Sequence, residues 1–159
     1  MLTNRPVRGA NILTICEFPQ SERELFFLHP QASYPLTYEQ LNEAIEQRTD
    51  STVVLWDGKI SAFANFYLCE PGEKCGIGNV IVAPQARGNG VGRYLLETMI
   101  QLAFHKHDVR EVEIACFNQN AAGLLLYSKL GFQPYAIEEW RDRQHSRVAL
   151  VRMRIPRSV

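Results

Sequence analysis

The stretch Asn79-Val-Ile-Val-Ala-Pro-Gln-Ala-Arg-Gly-Asn-Gly-Val-Gly-Arg93 constrains this chain more than any other. Its apolar residues through Val82 end an extended segment, and Pro84 breaks it, because proline cannot donate to a sheet ladder. Gly88, Gly90 and Gly92 then alternate, and a helical pattern begins in which Val91, Leu95, Thr98, Met99 and Leu102 share one face. The reading is strand, glycine loop, helix. Such a junction aims unpaired backbone N–H groups at one point, with the positive end of the helix dipole behind them. Residues without side chains let a ligand approach that backbone. The construction suits a phosphate or a pyrophosphate.

Spacing excludes two common phosphate loops. A P-loop needs Gly-x-x-x-x-Gly-Lys-Ser/Thr, and Arg93 stands where its second glycine would fall. A dinucleotide fingerprint, Gly-x-Gly-x-x-Gly, also demands glycine at that position. What fits is Arg87-x-x-Gly90-x-Gly92, preceded by Val82-x-Pro84. A second stretch follows one helix and one strand later: Asn120-Ala-Ala-Gly-Leu-Leu-Leu-Tyr127-Ser-Lys-Leu-Gly131-Phe132. The first resembles the acyl-CoA signature Gln/Arg-x-x-Gly-x-Gly/Ala of the GNAT superfamily of N-acetyltransferases. The second resembles that family's Asn-x-x-Ala-x-x-Leu-Tyr-x-Lys-Leu-Gly-Phe, with Gly123 replacing the usual alanine.

The resemblance implies acetyl-CoA as cosubstrate, no metal, and direct transfer to a primary amine of a small molecule or peptide in a ternary complex. Its rival is a CoA-binding regulatory module without catalysis. It further implies that Val80, Ile81 and Val82 offer backbone groups to the pantetheine arm and the acetyl carbonyl. The loop Gly88, Asn89, Gly90, Val91, Gly92, Arg93 would hold the pyrophosphate, with Arg87 adding charge, and Asn120 would touch the CoA arm. Tyr127 would protonate the leaving thiolate, since a phenol near its reference pKa of ~10 can donate there. Each residue also has a plain structural reading. Tyr127, flanked by Leu125 and Leu126, suits a core; Asn120 suits a helix start; Arg87 and Arg93 suit solvent.

Acetyl transfer also needs a proton acceptor for the amine. The strand positions where family members carry a glutamate hold Gly76 and Ala115 here. Glu113 precedes Ala115 by two and shares its strand face, which makes it a candidate displaced base, beside the plainer readings of a surface glutamate and of deprotonation through ordered water. Glu70, Glu73, Glu138 and Glu139 are weaker alternatives. Glu138, Glu139, Trp140 and Asp142 read as an acidic, aromatic rim for a cationic amine, or as a solvated loop.

Length and composition set the frame. The 159 residues fit one domain spanning 1–159, with enough apolar side chains, 46%, for a real core. Equal numbers of basic and acidic residues, 17 each, argue against a nucleic-acid partner. No apolar run approaches the ~20 residues of a membrane helix, and no leader is visible, so no membrane association and a cytoplasmic location are expected. Cys16, Cys69, Cys75 and Cys116 form no Cys-x-x-Cys pair and read as free thiols. His105 and His107 close a helix and suit its dipole better than a metal. A homodimer is left open.

In chain order the pattern predicts a first strand over residues 10–17, helices from Ser21 and Thr37, and a hairpin through Asp57-Gly58. A strand over 76–82, the glycine loop and a helix to His105 follow. The remainder reads as a strand over 109–117, the Tyr127 helix ended by Gly131, and two strands over 132–138 and 147–155. The expected fold is α/β (α+β): a GNAT-like mixed, mostly antiparallel central sheet of about seven strands flanked by about four helices.

Overall fold

The computed structural model describes residues 1–158. In chain order its elements are β1 (Leu2–Pro6), α1 (Ile12–Cys16), α2 (Glu22–Leu28), α3 (Tyr38–Gln47), β2 (Thr49–Trp56), β3 (Lys59–Glu70) and β4 (Lys74–Val82). These are followed by α4 (Val91–Lys106), β5 (Glu111–Phe117), α5 (Ala121–Lys129), β6 (Gln133–Arg141) and β7 (Arg147–Pro156). Among the described residues seven strands form one sheet in the order β1-β2-β3-β4-β5-β7-β6. Every neighbouring pair is antiparallel except β4 and β5.

Local chemistry explains the boundaries. Asp57 and Gly58 take φ of 49° and 82°, the positive pair that a tight hairpin requires between β2 and β3. The Ser21 and Thr37 side chains accept from the backbone N–H groups of Glu24 and Gln40, which starts α2 and α3. Gly131, at φ 105°, lets the chain leave α5.

The first strand is not where alternation placed it. Residues 10–17, expected as a strand, form a 3-10 turn and the short helix α1. Ile12 and Ile15, three apart, are both buried while Leu13 is 64% exposed, which is helical spacing. The edge strand is instead the polar Leu2–Pro6, paired to β2 from Leu2↔Trp56 to Pro6↔Thr52. As an edge strand it buries little, so no apolar alternation marks it, and Pro6 sits at its end. With α1 counted, five α-helices flank the sheet rather than about four.

The centre of β3 is buried on both faces, from Ser61 through Phe66. Leu95, Leu96 and Met99 of α4 close one side with no exposed surface, and α1, α2 and α3 close the other. Between β4 and β5 the ladder runs only from Lys74↔Glu111 to Ile77↔Ile114. Past it, β5 continues along β7 to Phe117↔Leu150, while β4 continues along β3. The two parallel strands therefore fork.

Asn79 shapes the β4 arm of that fork. It stands at φ 51°, in the left-handed region that asparagine tolerates better than most residues. The β3–β4 register shifts around it, from Asn65↔Gly78 to Phe63↔Ile81. Its Oδ1 accepts from Asn65 Nδ2 at 2.9 Å, and its Nδ2 donates to the Leu28 carbonyl at the end of α2, also at 2.9 Å. Asn79 is 4% exposed and Asn65 fully buried, so water cannot replace these bonds. Asn79→Ala leaves two buried polar groups unpartnered at a strained φ, and is expected to cost about 2–4 kcal/mol. Urea unfolding with an unchanged m-value measures it; a loss below about 1 kcal/mol would show that the bulge holds itself without this side chain.

Candidate active site

The fork leaves backbone unpaired. Beyond Ile77 the β5-facing edge of β4, which carries Val80, Ile81 and Val82, has no strand beside it. This edge leads through Pro84 into the glycine loop. Gly88 and Gly90 stand at φ 79° and 78°, with open space where a Cβ would project. Gly90 is the N-cap of α4 and offers no side chain, so the first N–H groups of the helix, at Val91, Gly92 and Arg93, have no cap. The first turn of α4 holds no acidic residue. Gly92 faces Leu126 and Val82, each 3.4 Å from a would-be Cβ, which brings α4 against α5. Free donors, a helix dipole and glycine backbone thus converge at the mouth of the fork.

The two loop arginines are engaged with protein. Arg87 Nη2 donates to Glu24 of α2 at 2.7 Å, and its Nε donates to the Val82 carbonyl at 3.2 Å. Arg93 pairs with Glu97 one turn along α4 at 2.8 Å, with both side chains about half exposed. The Arg87 bridge ties α2 to the loop, and Arg23 of α2 also donates to the Gln119 carbonyl across the fork. A cavity of about 320 Å³ opens at the Arg23–Gln119 contact, between α2 and the turn joining β6 to β7, with Glu22, Phe26, Asp142 and Arg143 in its wall.

On the α4–α5 side lies Tyr127. Its ring is buried against Phe132, centroids 6.2 Å apart at 64°, as a core tyrosine would be. Its hydroxyl bonds to no other described residue, yet the oxygen is not among the buried unpartnered polar atoms, so the ring is buried while the hydroxyl itself meets open space. Burial, and secondarily the charge of Cys116, raise its pKa, so it stays a neutral donor. Asn120 caps α5, its Oδ1 accepting from Gly123 N–H at 3.1 Å. That contact explains the glycine at 123: a Cβ there would fall 2.8 Å from Asn120 Nδ2 and 3.0 Å from Cys116 Sγ. Burial pushes the Cys116 thiol up to about 12, which keeps it protonated.

The opposite side, facing α1 to α3, carries Glu113. It is 7% exposed, accepts a hydrogen bond from the Tyr135 hydroxyl, and lies 3.6 Å from Lys74 Nζ. Burial, then the bond to Glu113 and its charge, push the Tyr135 phenol up to about 12. Glu113 pairs across the ladder with Gly76, one step before the fork. A glutamate at 76 is sterically excluded, because the Tyr67 ring lies flat there and a Cβ would sit 2.4 Å from its Cζ. Gly78, two residues on, underlies Tyr67 and the Arg48 guanidinium in the same way. Ala115 is on the Glu113 face but nearer Phe117, whose ring stacks on Phe26 at 4.5 Å and meets Trp140 edge-on at 5.5 Å.

The acidic rim does not offer free carboxylates. Glu138 is bonded by Arg152 and Trp140, and Glu139 by Arg147 at 2.8 Å. Asp142 caps the turn, accepting from the Gln144 and Ser146 N–H groups. Trp140 packs against the Phe26–Phe117 cluster. Glu70 ends the β3–β4 hairpin opposite Lys74, away from the fork. Sequence reasoning overlooked Arg48, Tyr67 and Tyr135. The signal for the first two was Gly76-Ile-Gly78, alternate glycines inside a strand that mark a close approach to one face.

The sequence matches the model of the acetyltransferase (GNAT) family over residues 14–132. Solved structures with a similar fold include ribosomal-protein-alanine N-acetyltransferase from Brucella melitensis, at 20% identity and TM-score 0.80, covering 98% of this chain and 99% of that one. Spermidine N-acetyltransferase from Vibrio cholerae, solved with CoA and spermine, matches at 17% identity and TM-score 0.80, covering 98% and 95%. Salmonella typhimurium yncA, solved with its cofactor acetyl-CoA, matches at 20% identity and TM-score 0.75, covering 100% and 95%.

The glycine loop makes a direct prediction. At Gly90 a side chain meets open space, and aspartate tolerates a positive φ at a cost of about 1–2 kcal/mol. Gly90→Asp is therefore expected to fold while setting a carboxylate against any phosphate on the α4 N-terminus. CoA affinity by calorimetry should fall by more than ~10-fold; unchanged affinity would remove the loop from the binding site.

Proposed function

The chain belongs to the acetyltransferase (GNAT) family, and from that premise we propose that it moves the acetyl group of acetyl-CoA directly to a primary amine of a small molecule or peptide, in a ternary complex. One observation carries this reading: the fork separates a phenol on one side of the sheet, Tyr127, from a buried carboxylate on the other, Glu113. An acid and a base on opposite sides of one gap suit a substitution at a carbonyl, in which the nucleophile arrives on one side and the thiol leaves on the other.

The cosubstrate would lie with its pyrophosphate on the N–H groups of residues 90–93 and its pantetheine along Val80, Ile81 and Val82. A free N–H of the β4 edge would polarise the thioester carbonyl. Asn120, which caps α5 with its Oδ1, keeps its amide N–H groups for the arm. The amine nitrogen forms the C–N bond as the C–S bond breaks. Its proton passes to the Glu113 carboxylate, and Tyr127 donates its hydroxyl to the departing sulfur. The elevated pKa of Tyr127 keeps it a hydrogen-bond donor to that sulfur, and the proton taken up by Glu113 is returned through solvent to the thiolate, which leaves amide, neutral thiol and both side chains in their starting forms. Direct transfer is further supported by the Cys116 thiol, which burial keeps out of its nucleophilic form.

Tyr127→Phe keeps the ring and its packing and removes the donor. We expect kcat to fall ~10-fold or more with acetyl-CoA binding intact, and the loss to shrink for a thioester with a more acidic thiol. Because burial raises the pKa of Tyr127, the donor form persists beyond the ordinary phenol value of ~10, and no alkaline limb below that pH belongs to it. Full turnover by the phenylalanine variant would show that Tyr127 only packs. Glu113→Gln should lower the rate by ~10²–10⁴-fold with acetyl-CoA binding retained. A rate within about twofold of wild type would assign that proton to water or another residue.

A further inference from the structure

The acceptor side of the fork contains an uncompensated guanidinium. Arg48, at the end of α3, is half-buried, and the one hydrogen bond of its guanidinium among the described residues runs from Nη1 to Asn65 Oδ1 at 3.2 Å. No carboxylate pairs with it among the described residues, whereas Arg87, Arg93, Arg147 and Arg152 each have one. Burial lowers its pKa, only partly countered by Tyr67, which marks a cation without an anion. Burying a charge in this way is costly and is ordinarily relieved by pairing. The position is also specific. A Cβ on Gly78 would lie 2.7 Å from Arg48 Nη1, so the guanidinium rests directly on β4 at the first residue past the ladder. Tyr67, 37% exposed, shares that spot, its Cδ1 lying 3.0 Å from the same would-be Cβ.

We propose that Arg48 binds a carboxylate of the acceptor, and that the acceptor is a small amino acid or amino-acid-like amine. The inference rests on the acetyltransferase reading and narrows its substrate class. A planar guanidinium takes a carboxylate through two parallel hydrogen bonds, and Arg48 has donors to spare after Asn65. The amine of such a molecule lies a few bonds from its carboxylate, which keeps both groups within the small region between Arg48 and the fork. The carboxylates of the same rim, Glu138, Glu139 and Asp142, are already bonded to arginines or to backbone N–H groups, which weakens their pull on a polyamine.

The test compares amino acids with their decarboxylated amines and their methyl esters, using wild type, Arg48→Gln and Arg48→Lys. Acetyl transfer is read as kcat/KM, and binding to the CoA-loaded protein by calorimetry. Wild type should prefer the free carboxylate by about 10- to 100-fold, the value of a charge-assisted hydrogen bond. Arg48→Gln should erase that preference while leaving the amines and esters unaffected, and Arg48→Lys should restore part of it. The denaturation midpoint of Arg48→Gln should stay equal or rise, since an uncompensated charge is removed; a merely structural arginine would lose stability. Equal use of amines and amino acids by wild type, or a preference that survives in Arg48→Gln, overturns the assignment and leaves the acetyltransferase reading intact. Carboxylate binding through Arg48 without transfer to any amine would instead overturn the acetyltransferase reading. Neither binding nor transfer overturns both.

Discussion

The pair of hydrogen bonds made by Asn79 holds together the parts that matter here. One reaches sideways to Asn65 on β3, and the other reaches up to the last carbonyl of α2. A bulge adds a residue to one strand and bends it. In β4 that bend comes two residues after the ladder with β5 ends, so the free edge at Val80 to Val82 owes its course to a buried asparagine. The same network continues from Asn65 to Arg48, and so joins the frame of the fork to the guanidinium beside it. Buried polar chains of this kind specify one arrangement because a half-made version leaves groups unsatisfied in low dielectric.

The fork divides the chemistry between two sides of one sheet. On the α4–α5 side the surroundings of Tyr127 are apolar, and the cost of charging it there keeps it a neutral donor. The other side is polar and crowded: Tyr67 and Arg48 lie over two glycines of β4, and Tyr135 is hydrogen-bonded to Glu113 on the neighbouring strand. Glycine at 76 and 78 therefore serves shape rather than turn geometry. It gives up any side chain on β4 so that groups from β3 and α3 can lie on its backbone. The carboxylate nearest these glycines comes from β5, where Glu113 sits across the ladder from Gly76.

The net charge of zero hides a local imbalance. Acids near the β6–β7 turn are bonded to arginines or to backbone N–H groups, while Arg48 has no acid. Counting charges along the chain cannot reveal this, because pairing is decided by which strands become neighbours. Arg152 reaches Glu138 only because β6 returns along the outer edge of β7.

What the sequence determined by itself was local or motif-bound. The Asp57-Gly58 hairpin, the Ser21 and Thr37 caps, the glycine loop and the α5 motif were all legible, because each depends on residues a few positions apart. The order of the elements was legible too, apart from the first strand. There α1 carried apolar residues that mimicked alternation, and the true edge strand buried too little to show any. Tertiary structure alone decided where the β4–β5 ladder stops, that Asn79 is a buried tie, and that Tyr67 occupies the room of a side chain at 76. It also decided that Arg48, 30 positions before Gly78 in the chain, comes to rest on it unpaired. These depend on register and on the packing of α3 against the sheet, and the pairing of distant strands leaves no periodic trace in either partner.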